Sequence, residues 1–228
     1  MCSLNRSQPP FFIPMLHQYV NVTGDTDILT RALPLAEAEL KWWSTNRGVS
    51  VDSPFSNSTR NVYHYAVDNS APRPESYYED YHVANGDDLE KPYSDQEKAL
   101  LYSNLASGAE SGWDYSSRWF KNPLATNSTI QLRSLNTREI IPVDLNSILY
   151  KAHVDLADLY RQRDRNDDAD RHRDAAGSLR TAIIDLFWDA DKFAFYDYNM
   201  TGNARATHLT AAHFYRTSPC IPSCTNNH

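Results

Sequence analysis

The chain has 228 residues, 41% of them hydrophobic and 22% charged, which suffices for a packed core and excludes both a disordered and a membrane-embedded protein. Its 29 Asp+Glu against 22 Lys+Arg leave a formal net charge of -7, which argues against a broad electrostatic grip on nucleic acid or an anionic membrane. No stretch supplies the ~18 uninterrupted apolar residues of a spanning helix.

In chain order, Pro9 and Pro10 precede a first helix over Phe11 to Val20. Ile28, Leu29, Ala32, Leu33, Ala36, Leu40 and Trp43 recur at three- and four-residue steps and predict a long helix from Asp27 to Asn46, with Asp25, Thr26 or Asp27 as cap. Between Gly48 and Gly86 no period of either kind is visible, and Asp52-Ser53-Pro54 and Ala71-Pro72-Arg73-Pro74 read as a long functional loop. Helical spacing returns over Asp95 to Ser107 and is interrupted by Gly108 and Gly112. Helices are predicted again over Val143 to Tyr160 and Ala169 to Phe187. Alternating aromatics from Trp188 to Tyr198 predict the one β-hairpin. The expected fold class is therefore all-α, and only 7 glycines agree with it.

Two loops mix acidic and aromatic residues: Arg73 to Asp80, and Glu110 to Trp119. Sugars present flat C–H faces to Trp and Tyr, and hydroxyls that carboxylates and guanidinium groups bind in pairs. Glycosidic hydrolysis further needs one protonated and one ionised carboxyl. Asp114 is the candidate for the protonated one, because Trp113, Tyr115 and Trp119 flank it and would desolvate it. The same residues admit a plainer reading, with Trp113 and Trp119 in the core, Asp114 capping a helix from Tyr115, Arg73 and Glu75 as a surface ion pair, and Arg6 and Gln8 as a polar chain end.

Other chemistries find less support. Asp164, Asn166 and Asp168 begin a calcium-loop pattern, but Ala169 stands where Gly is needed and Ala175 where the bidentate Glu belongs, so this stretch reads as a solvated helix face. His208, His213, Cys220 and Cys224 fit no common zinc spacing. Neither a nucleophile elbow nor a phosphate-binding glycine loop is present.

Three segments, Asn5 to Pro10, Pro72 to Tyr77 and Ala109 to Trp119, resemble in order and spacing the inner blocks of the trehalase family of glycoside hydrolases, as do Ile141 to Asn146 and Phe187 to Asp189. The resemblance implies an (α/α)6 toroid, present only in part and carrying one small hairpin near 188–198, that hydrolyses α,α-trehalose to two glucoses with inversion and needs no cofactor or metal. It implies Asp114 as general acid, and Arg6, Ser7, Gln8, Arg73, Pro74, Glu75 and Gly112 as substrate-binding residues. The family's P-G-G-R-F and Q-W-D-x-P signatures, and the downstream Glu block that holds its general base, are absent from the 228 residues. The expectation is thus a partial catalytic domain over residues 1–215, a divergent tail over 216–228, and an internal fragment lacking the base. A non-catalytic sugar-binding or regulatory remnant is the alternative. Acceptor triplets at Asn5, Asn21, Asn57, Asn127 and Asn199 suggest a secreted or vacuolar glycoprotein whose export signal is not in this sequence, although such triplets also arise freely.

Overall fold

The computed structural model describes residues 6–86, 91–121, 128–208 and 210. Their elements follow in the order α1 (Phe12–Thr23), α2 (Leu29–Asn46), β1 (Gly48–Asp52), β2 (Thr59–Tyr63), α3 (Tyr77–Asn85), α4 (Asp95–Ser111), α5 (Ser128–Arg133), α6 (Val143–Arg161) and α7 (Asn166–Phe187). The architecture is mostly helical, as the periodicity predicts. The described residues form two compact units: one from residues 10–63, 142–198, 203–208 and 210, the other from residues 6–9, 64–86, 91–121, 128–141 and 199–202.

The first unit is built on α6 and α7. Leu145, Ile148, Leu149, Ala152, Leu156 and Leu159 are all buried on α6, and so are the polar Asp144, Asn146, Ser147 and Asp155; the helix is enclosed on every side from Val143 to Tyr150 and amphipathic beyond, where Lys151, His153, Asp158 and Arg161 reach toward solvent. Asn146 turns that burial into a tie. Its Oδ1 accepts the Tyr63 N–H at 2.9 Å, and its Nδ2 donates to the carbonyls of Tyr63 and Pro142 at 2.9 and 2.8 Å. On α2 the predicted stripe from Leu29 to Trp43 is buried, but none of the three expected residues caps the helix: Ile28 precedes it without a side-chain cap, and Asp25 Oδ1 instead accepts the N–H groups of Asp27 and Ile28, at 3.1 and 3.4 Å, in the turn before it. Helix α1 stops at Gly24, whose φ of 69 permits the left-handed residue that returns its N–H to the Val20 carbonyl.

Two expectations need correction here. The predicted long loop contains the antiparallel pair β1–β2, in register from Gly48↔Tyr63 to Asp52↔Thr59, as well as α3. The hairpin buries little beyond Val51 and Val62, so its alternation is too short to stand out from the sequence, and α3 hides because it exposes Tyr77, Tyr78 and Tyr81 while burying Asp80, Val83 and Ala84. The hairpin predicted near 188–198 forms between Trp188–Asp189 and Ala194–Phe195, but it is not the only strand pairing: besides β1–β2, Tyr198–Asn199 pairs with both Ile140–Ile141 and Ala204–Arg205 in a small three-stranded sheet.

In the second unit α4 opens on a capping box. The Ser94 N–H donates to Glu97 Oε2 at 2.8 Å while Ser94 Oγ faces the Glu97 N–H. Contrary to the predicted interruption at Gly108, α4 runs on to Ser111 and ends at Gly112, with φ 72. A Cβ on Gly108 would lie 2.8 Å from Tyr115 Cε1, so this glycine seats a ring rather than breaking a helix. Residues 216–228, with Cys220 and Cys224, and also Cys2, Asn5, Asn127 and His213, lie outside the described residues.

Candidate active site

Every candidate site residue belongs to the second unit. Arg73 sits just ahead of a single 3-10 turn, Pro74–Ser76, and is buried. Its N–H and Nε donate to Asp80 Oδ2 at 3.0 and 2.8 Å, and its Nη2 to Asp80 Oδ1 at 2.7 Å, a bidentate pair with both partners out of solvent. The guanidinium lies 5.3 Å from the centre of the Tyr115 ring. Burial alone would lower the pKa of Arg73, but Asp80, Tyr115 and Glu75 outweigh it and leave it above its ordinary value. Burial pushes the Tyr115 phenol well up, so it stays neutral and donates a hydrogen bond to the Leu105 carbonyl at 3.0 Å.

Arg6 and Glu75, from two segments far apart in sequence, form an ion pair. Desolvation would raise the Glu75 carboxyl, but its own backbone N–H, then Arg6 and Arg73, hold it below the usual carboxylate range, so it is an ionised acceptor. The Arg6 side chain is only 13% exposed, and its Nε is buried with no hydrogen-bond partner among the described residues. Such a donor is costly to leave unmet. Ser7 is held by its N–H and its Oγ, both 2.8 Å from Oε1 of the fully buried Glu110. Gln8 and Pro74 are exposed, and the Pro9 ring comes 3.6 Å from where a Gly112 Cβ would stand.

After Gly112 the chain makes a tight turn. The Trp113 N–H bonds Ser111 Oγ at 3.1 Å, and Asp114 follows with a left-handed φ of 51, a conformation that Asp tolerates better than most residues and that stores strain. Asp114 is exposed, which differs from the expected enclosure by three rings. Trp119 is fully buried and packs edge-on against Tyr65 at 6.4 Å. Tyr115 lies on Gly108, and Trp113 remains 39% exposed. The Arg118 guanidinium lies 4.5 Å from the Trp119 ring and 5.7 Å from that of Trp113. The rings therefore brace the turn rather than cover the carboxyl. Nor does Asp114 cap a helix, since the next turn, Ser117–Trp119, begins after Ser116.

Sequence reasoning missed Asp80 and Gly108 and gave Glu110 no role. Asp80 lies seven residues beyond Arg73, a spacing that carries no pattern until α3 is known to turn back, whereas a glutamate in the last turn of an otherwise buried helix was a legible anomaly.

A family model of trehalase matches residues 3–217. The chain belongs to the trehalase family. It is similar to the trehalase of Dictyostelium discoideum, 38% identical over 199 residues that cover 86% of this chain and 32% of that one. It is likewise similar to the trehalase of Homo sapiens, 36% identical with the same coverages, and to a periplasmic trehalase of Salmonella schwarzengrund, 33% identical over 92% of this chain and 35% of that one. The chain thus spans about a third of the length of these curated trehalases. Among solved structures the fold is similar to neutral trehalase from Saccharomyces cerevisiae, with TM-score 0.62 and 22% identity, covering 92% of this chain and 40% of that one. It is also similar to a GH63 mannosylglycerate hydrolase from Thermus thermophilus, with TM-score 0.51 and 13% identity, covering 92% and 49%. The fold class is that of the trehalase-type helical toroid, present in part, and no helix of the described residues is long and apolar enough to cross a membrane.

Proposed function

We propose that this chain carries the acid side of an inverting α,α-trehalose hydrolase. Asp114 protonates the oxygen between the two glucose rings, and its exposure on a strained turn leaves it accessible to a bound disaccharide. Arg6, Arg73 and Glu75 hold sugar hydroxyls through charge-assisted hydrogen bonds, while Ser7, Gln8, Pro74 and Gly112 line the same subsite. Inversion requires a second carboxylate about 6.5–9.5 Å from the acid, with a water between it and the anomeric carbon. That carboxylate is supplied from the part of the trehalase fold that these 228 residues do not span.

The observation that carries this reading is the meeting of Arg6 with Glu75, two residues from separate family blocks, beside the Arg73 guanidinium that helps to keep Glu75 ionised. A glucose-release assay on purified 1–228 with trehalose tests it, and no turnover is expected. Turnover that disappears in Asp114→Asn would instead show that another carboxylate of this chain activates the water. The protein is also proposed to be a secreted glycoprotein. Asn57 is exposed, whereas Asn21, though exposed, turns its Nδ2 to the His17 ring at 3.2 Å, and Asn199 is partly buried with its Oδ1 accepting the Gly202 N–H at 3.0 Å, so Asn57 is the acceptor expected to be occupied.

A further inference from the structure

Glu110 stands where a carboxylate is twice disfavoured. It is fully buried, and it lies in the last turn of α4, next to the negative end of the helix dipole. An apolar residue would pack there at lower cost, so the acid is retained for what it binds. Its Oε1 takes both hydrogen-bond donors of Ser7, the backbone N–H and the hydroxyl, each at 2.8 Å and 103 positions away in sequence. Arg6, the neighbour of Ser7, pairs with Glu75, and Pro9 packs beside Gly112. Residues 6–9 are thus tied to the end of α4, three residues before the Asp114 turn.

We infer that Glu110 is a positioning residue: by clamping Ser7 it holds Arg6 against Glu75 and keeps residues 6–8 in register with the Gly112–Asp114 turn. The clamp itself does not depend on the identity of any ligand. Its consequence for sugar binding rests on the trehalose reading above.

The peptide bond between Arg6 and Ser7 is a trypsin site whose N–H Glu110 holds, so cleavage there reports the clamp directly. With the 1–228 chain, mass spectrometry should show slow cleavage after Arg6 in the wild type. In Ser7→Ala, which removes one of the two bonds from the partly exposed side, it should be several-fold faster. Glu110→Gln keeps an acceptor oxygen but loses the charge, and about ten-fold faster cleavage is expected. Cleavage after the exposed Arg31 and Lys41 should not change in either variant. A purely structural role would instead raise cleavage at all these sites together and lower the unfolding midpoint. If Glu110→Gln fails to fold, Ser7→Ala decides alone, and unchanged cleavage after Arg6 in that variant overturns the clamp.

Titration with α,α-trehalose separates the two layers. Wild-type binding that weakens about ten-fold in Glu110→Gln supports positioning, and equal binding with an opened clamp overturns it. A wild type that binds no trehalose, with the proteolysis result intact, removes the trehalose reading and leaves the clamp standing.

Discussion

Arg73 and Asp80 are both nearly excluded from solvent, at 7% and 2% exposure, and each satisfies the other's charge. Such a pair adds little net stability over an apolar isostere, yet removing one member strands the other. Asp80→Ala should therefore destabilise the second unit by about 3–5 kcal/mol in urea unfolding, whereas a rim carboxylate would cost under ~1 kcal/mol. Gly108→Ala puts a methyl 2.8 Å from the Tyr115 ring and should cost about 1–3 kcal/mol, because the ring supports Arg73 and has to shift. Gly112, the aromatic residues and Asp114 were legible in the sequence as residue types at recognisable spacings, whereas Asp80 and Gly108 were not. Their roles were less so: Tyr115 and Trp119 read as covers for Asp114, and they are instead braces for the turn, since the sequence does not show that Tyr65 and Gly108 are their neighbours.

At the scale of the elements, α2, α6 and α7 share a polar network, running from buried His172 and Tyr160 out to the half-exposed Glu37 and Arg171, that periodicity cannot reveal. Nδ1 of His153 lies 3.0 Å from Nδ1 of His172, whose Nε2 faces Glu37 Oε1 at 2.9 Å, and Glu37 Oε1 also accepts from Tyr160 at 2.7 Å and from Arg171 at 2.6 Å. Burial, with His172 beside it, holds His153 down to about 4 from an ordinary 6.5, and burial likewise lowers His172 against the pull of Glu37. Between pH 6.5 and 4 the unfolded chain then binds more protons than the folded one, so stability falls as pH falls, by up to about 1.4 kcal/mol per pH unit for one such group. Burial would raise Glu37, but its bonds to Arg171, His172 and Tyr160 hold it at about 2, and its own contribution is lost only as pH falls from 4.5 toward that value. Thermal unfolding midpoints from pH 7 to 4.5 should decline in the wild type and decline less in His153→Asn. Parallel declines would show that other groups carry the effect. Long helices with one apolar stripe were readable to within three residues or fewer at most ends. The β1–β2 hairpin and α3 were not, because a two-valine alternation and a helix with three tyrosines facing outward leave no periodic signal.

For the whole molecule, the sequence carried the fold class because helical periodicity recurs along most of its length, and it carried the family because separated blocks kept their order. It did not reveal the division into two units, which depends on contacts between segments distant in the chain, such as those that bring residues 6–9 onto 64–141. Recognition of trehalose is proposed to rest on Arg6, Arg73 and Glu75. Calorimetric titration of the 1–228 chain with α,α-trehalose tests it most directly. Saturable binding at one site is predicted, weakened about ten-fold or more in Glu75→Gln, where the ionised acceptor is lost. No heat at high millimolar trehalose, or an affinity equal in the wild type and Glu75→Gln, would show that this trio does not recognise trehalose.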